Sequence, residues 1–157
     1  MFKDIVNKIS SLPEYEIEIG VITSHKDRTT KSAVRVGVTN AELMYIHEKG
    51  SPLHNIPARP VLDMTLKHAN TMLLEPTIDK ALDAFIKAGF DANEFEIVLK
   101  RLCIEMENYA RDIIYLNDGR LEPNSPSVAA RKKGNHPLFD TGQLARSITC
   151  QLIKVGE

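Results

Sequence analysis

Residues 91–116 constrain the fold more than any other stretch of the chain. Apolar side chains recur at Phe95, Val98, Leu99, Leu102, Cys103, Met106, Tyr109, Ala110, Ile113 and Ile114, the spacing of one helix face sustained for about six turns. Asp91 with Glu94 three residues on makes a capping box at the start, and Asn117-Asp118-Gly119 carries turn chemistry at the end. A helix with one long apolar stripe must lay that stripe on a core. Trp is absent and aromatics are 6% of the 157 residues, so aliphatic side chains fill that core. A chain of this length is expected to make one domain, residues 1–157, burying about 68–70% of its unfolded surface without disulfides.

The rest of the pattern supplies what packs against that helix. Phe2, Ile5, Val6, Ile9 and Leu12 predict a short amphipathic helix ended by Pro13. Tyr15, Ile17 and Ile19 then alternate with Glu14, Glu16 and Glu18, a half-buried strand over 14–22. His25 to Ser32 is a polar loop, and Val34, Val36 and Val38 alternate again, predicting a second antiparallel strand over 33–38. Asn40 is placed to cap a short helix that Gly50 stops. Three prolines stiffen the 50–60 loop. A helix begins near Pro60 and runs through Leu62, Leu66, Ala69 and Leu73, Pro76 is expected to kink or break it, and the pattern resumes from Ile78 to Ile86 before Gly89. A short helix is expected from Ser127 to Lys133, and Ile148, Cys150 and Leu152 predict a last strand over 147–155. The expected class is α+β: a small antiparallel sheet packed against long amphipathic helices, with proline-rich docking loops.

Charge and chemistry exclude several classes. The formal net charge of −1 lacks the basic excess of a protein that coats nucleic acid. Met1-Phe2-Lys3-Asp4 places an acid where a signal peptide needs an apolar run, and no stretch reaches the roughly 18 apolar residues of a membrane span. The expectation is a soluble intracellular product with no membrane association, and Cys103 and Cys150 read as buried, reduced thiols. His25, His47, His54, His68 and His136 are scattered, and the zincin-like opening His47-Glu48 has Ser51 where a second His is needed. No metal and no cofactor is expected.

Asp140-Thr141-Gly142, preceded by Leu138-Phe139, imitates the catalytic turn of a dimeric aspartic protease. The next residue is Gln143, where Ser or Ala is usual, and the 15 residues after Gly142 are too few for a flap and supporting sheet. The expectation is a structural turn in which Asp140 or Thr141 caps a short helix, Gln143 to Ser147, through its side-chain oxygen. No catalytic residues are expected. The candidate interaction residues are Ile56 and Arg59, an anchor in the proline-stiffened loop, and Arg120, Arg131, Lys132 and Lys133. Those four belong to a segment, 120–146, with five basic and two acidic side chains. Such a run is either a solvated face or an electrostatic contact with an acidic protein or a phosphate backbone.

Two blocks of residues carry a resemblance. The first is Tyr45-Ile46-His47-Glu48-Lys49-Gly50-Ser51-Pro52 with Asn55-Ile56-Pro57-Ala58-Arg59-Pro60. The second runs from Pro123-Asn124-Ser125-Pro126-Ser127 through Ala130-Arg131-Lys132-Lys133-Gly134 to Pro137-Leu138-Phe139-Asp140-Thr141-Gly142-Gln143-Leu144 and Ser147-Ile148. Together, and with a long helix between them, they resemble the virion-morphogenesis family of Mu-like phages, the neck and tail-completion proteins of tailed phages. Val61 stands where that pattern usually has Phe, and Ala145 where Arg or Met is common. The resemblance implies a non-enzymatic structural protein of the virion neck, assembled in the host cytoplasm, that completes the tail or joins head to tail. It implies a ring of identical copies, flanked by head-connector or head-closure and tail-terminator or tail-tube proteins, with contact to packaged DNA. A tail terminator or head-closure protein is the near alternative within that class. Outside it stand a dimeric aspartic protease and a basic-loop DNA-binding module.

Overall fold

The computed structural model describes residues 2–21, 37–132 and 134–156. In chain order these form α1 (Phe2–Ser10), β1 (Tyr15–Gly20), α2 (Asn40–Lys49), a 3-10 turn (Pro52–His54), α3 (Val61–His68), a π segment (Ala69–Leu73), α4 (Leu74–Lys87), α5 (Ala92–Tyr115), α6 (Pro126–Lys132), α7 (Gln143–Ser147) and β2 (Thr149–Lys154). The α+β class read from the sequence is the class of the fold.

β1 and β2 pair antiparallel, with Tyr15 opposite Lys154, Ile17 opposite Leu152 and Ile19 opposite Cys150. Glu16 and Glu18 face solvent while Ile17 and Ile19 pack inward, as the alternation requires. The expected strand over 33–38 falls largely outside the described residues, as does the 25–32 loop; Gly37 and Val38 form a bend. Among the described residues the sheet therefore has two strands.

α5 runs through the middle of three apolar clusters. At its start Phe95 and Leu99 meet Ala81 and Phe85 of α4. Midway, Leu102 and Met106 meet Ala69, Ile17 and Cys150. At its end Ala110, Ile113 and Ile114 meet Met44, Val61, Leu144, Ala145 and Ile148. The stripe predicted for this helix is the buried face, with Val98 and Tyr109 half-buried at its margins. Its cap is simpler than a full box: the Asp91 side chain accepts from the Asn93 N–H at 2.9 Å.

Two expectations about the preceding helices are corrected. The reciprocal capping box belongs to α2, where Thr39 and not Asn40 is the cap: Glu42 N–H donates to Thr39 Oγ1 at 3.2 Å and Thr39 N–H to Glu42 Oε2 at 2.8 Å. Those bonds, backbone first, hold the Glu42 carboxyl below its usual pKa. Pro76 does not break its helix, because residues 61–87 are helical throughout. The strain is absorbed just upstream, where the Leu74 N–H reaches back five residues to the Ala69 carbonyl. The wider π turn ends three residues before Pro76, whose ring would otherwise press on the carbonyl four residues back, that of Met72. The buried column is Val61, Thr65, Ala69, Thr77, Ala81 and Phe85, with Leu73 half-buried, and it leaves Leu66 exposed. These residues recur every fourth position, so an ideal α-helix would rotate the column by about 40° per step. The π segment takes up part of that drift.

Candidate functional site

The 50–60 loop leaves α2 through Gly50, whose φ of +73° is left-handed. A Cβ at Gly50 would lie 2.8 Å from the Ala58 nitrogen, so only glycine lets the loop fold back so closely. Ser51 and Ile56 exchange backbone hydrogen bonds of 2.8 and 3.0 Å, closing a tight loop around Pro52–His54. The Arg59 N–H then donates to the His47 carbonyl at 2.6 Å. The Glu48 carboxylate accepts from the Leu62 N–H at 3.0 Å and the Asp63 N–H at 2.8 Å, so a side chain of α2 caps α3.

Arg59 is the centre of this arrangement, only 4% exposed. Its Nε donates to the Glu122 carbonyl at 2.6 Å and its Nη2 to the Pro123 carbonyl at 2.8 Å. Nη1 lies 3.5 Å from His47 Nδ1. Burial lowers the guanidinium pKa and the Glu122 carboxylate partly opposes that, while the group stays charged. One buried cation thus fastens the 50–60 loop to a segment more than sixty residues later. The anchoring expected of Arg59 is present, and its partners are main-chain carbonyls.

The segment after α5 is tied down by short polar bonds. The His136 ring donates Nε2–H to the Ile114 carbonyl at 2.6 Å and stacks on Phe139 at 4.6 Å. The Asn135 side chain accepts from the Asn124 N–H at 2.8 Å, and Lys132 Nζ donates to the Phe139 carbonyl at 3.1 Å.

These ties bring the candidate residues to one place, apart from two. Ile56, Arg59, Arg131 and Lys132 line a single cavity of about 390 Å³, together with Asp140, His47, Asn124 and Val128. The Asn124 Nδ2 is buried and has no hydrogen-bond partner among the described residues. Arg120 lies elsewhere. Its guanidinium grips Asp118 at 2.7 and 2.9 Å and sits 5.4 Å over the Tyr109 ring, which stacks on His68. The hydrogen bond between them raises the Arg120 pKa and lowers that of Asp118, so this cation is already compensated. Lys133 lies outside the described residues.

Asp140, Thr141 and Gly142 form a bend leading into α7, as expected of a structural turn. Gly142 itself is the cap, at φ +74°, and the Thr141 carbonyl accepts from Arg146 Nη2 at 3.0 Å. Cys103 is buried and Cys150 half-buried; both are free, and their thiols hydrogen-bond to one another. The bond with Cys103, burial and the Glu107 carboxylate push the Cys150 thiol up, so it is a poor nucleophile.

Sequence reasoning missed His47, Glu48 and Asn124 as parts of this site. Glu48 was legible only as a member of a motif, because its partners are backbone N–H groups that carry no side-chain signature. The same holds for His47, because its carbonyl and ring meet Arg59 only once the loop folds back. The two positions that depart from the resembled pattern, Val61 and Ala145, are both fully buried in the cluster at the end of α5. Among the described residues no three His, Cys, Asp or Glu side chains gather as a metal site requires, and no helix is long and apolar enough to cross a membrane. No protein-family model, curated protein or solved structure matches the chain.

Proposed function

We propose that this chain is a structural protein of the tailed-phage virion neck, acting by binding within a ring of identical copies to complete the tail or join it to the head. The observation that supports this reading most is the meeting of the two motif blocks. Residues far apart in sequence, the first block through Arg59 and the second through Pro123 with the adjoining Glu122, are fastened together and wall one cavity. A motif held by a helix core needs apolar periodicity. These blocks instead shape turns, caps and a recessed surface, which is how loops present recognition on a rigid scaffold. The Asp-Thr-Gly stretch fits the same role, as a bend that feeds α7.

The test is genetic and structural together. Loss of the gene from the encoding phage is expected to leave filled heads and tails that do not join. The protein should be found by mass spectrometry in purified virions, with its density at the neck. Tails of uncontrolled length would move the reading to a tail terminator, and heads that leak DNA would move it to head closure. Normal virions lacking the protein would overturn the reading.

A further inference from the structure

We propose that the cavity between the 50–60 loop and α6 is a binding site for a carboxylate, presented by an acidic peptide segment of a neighbouring protein. The first observation is charge. Arg131 and Lys132 approach the cavity from α6 and Arg59 from its floor, against Asp140 in the same lining. A chain of net charge −1 thus concentrates cations in one recess. The second is Asn124, a residue of the cavity lining whose Nδ2 is sealed from solvent and has no partner among the described residues. Leaving such a donor unmade is costly, and an acceptor that drew the amide toward the cavity would relieve that cost. The third is the wall itself. Ile56 and Val128 supply apolar surface, which suits a side chain with a hydrocarbon stem ending in a carboxylate and strengthens a charge-assisted bond.

The division of labour follows from what is already engaged. Arg59 spends two of its nitrogens on main-chain carbonyls, so it contributes field more than hydrogen bonds. Arg131 is exposed at the rim, and its planar fork matches a carboxylate in bidentate geometry. Asp140 in the same lining lowers the net positive charge there, which suits a monoanion better than an undiluted set of cations would. A duplex backbone also calls for cations spread along an open surface, whereas these converge in a recess. The owner of the acidic segment rests on the neck reading, as a ring neighbour; the chemistry of the cavity does not.

The test uses the purified full-length chain and a fluorescein-labelled, end-blocked peptide carrying two glutamates among leucines. The controls are the same peptide with glutamines, a short DNA duplex, and inorganic phosphate. Saturable binding is expected for the glutamate peptide and not for the glutamine peptide. Arg131→Glu is expected to weaken it at least about tenfold, as loss of one charge-assisted contact implies. Asn124→Asp, which swaps the buried donor for an anion at constant shape, should do the same, and circular dichroism checks that each variant folds. Arg101→Glu, a charge reversal on the exposed face of α5, should leave binding unchanged. Equal weakening by Arg101→Glu would reduce the effect to net charge and overturn the site. Tighter binding of phosphate or duplex DNA would overturn the carboxylate assignment, and so would failure of the glutamate peptide to bind. Peptide binding by a protein absent from virions would sink the neck reading and leave the cavity standing.

Discussion

The middle of α5 and the Arg59 clasp hold the same chain together by opposite means. Around Leu102 the fold rests on many weak contacts, with Met106, Ala69, Ile17 and Cys150 sharing the burial. Around Arg59 it rests on a few directed bonds, two to the carbonyls of Glu122 and Pro123 and one from its own N–H to His47. The first region tolerates exchange among apolar residues of similar volume. The second depends on one side chain having the right shape and donors. The candidate site belongs to the second kind, so its geometry is more sensitive to conservative substitution than the core that supports it.

The sharpest way to break the comparison is a pair of changes in the core. Leu102→Ala should destabilise by about 3 kcal/mol in urea unfolding, and Leu102→Met by less than ~1.5 kcal/mol. Equal losses from both would mean the middle of α5 is as shape-specific as the clasp. At the clasp, Arg59→Met should cost about 2–3 kcal/mol, because two carbonyls lose charge-assisted donors. Arg59→Lys should recover little of it, since one ammonium cannot reproduce a planar fork across both carbonyls. Full recovery by lysine would show that charge, not geometry, holds the loop. Gly50→Ala comes next, at about 2 kcal/mol, from the left-handed backbone and the 2.8 Å approach of the Ala58 nitrogen. A wild-type melting curve for that variant would mean the turn relaxes freely.

The smallest effect is acid sensitivity. Glu42, Asp118 and Glu96 all have carboxyl pKa values held below their ordinary range by hydrogen bonds, to Thr39, Arg120 and Lys100 respectively. A carboxyl depressed in the folded state adds stability that is present above its ordinary pKa and lost as pH falls through the folded value. Their contribution to stability should therefore be flat from pH 7 to about 5 and decline below about 4.5. Glu42→Gln should flatten part of that decline. An unchanged pH profile in the variant would detach the α2 cap from acid unfolding.

The body was legible because burial writes itself into periodicity. The α5 stripe, the β1 alternation and the strand at 149–154 could be read directly, since each apolar residue there faces other apolar residues. The π segment could not, because Pro76 signals a disturbance without saying whether the helix breaks or widens. Nor could the α2 cap be placed to the residue, as Thr39 and Asn40 are both good caps and only Glu42 decides between them. The clasp was legible as a motif but not as a mechanism: Arg59 binds carbonyls, and any residue has one. The nearness of Cys103 to Cys150 depends on where β2 lands on α5, which no local pattern records.

The Arg59 bridge also sets an order of events. It joins positions separated by 63 and 64 residues, and closing so long a loop is entropically unfavourable until α5, lying between them, has drawn the ends together. The bridge is therefore expected to form after the rate-limiting step, so that Arg59→Met speeds unfolding and leaves the refolding rate nearly untouched in stopped-flow measurements. The recess it shapes is then expected to form late. On the proposed neck role, a chain that is still collapsing would offer a neighbour no finished surface, and recruitment would wait on completed folding without any separate checkpoint.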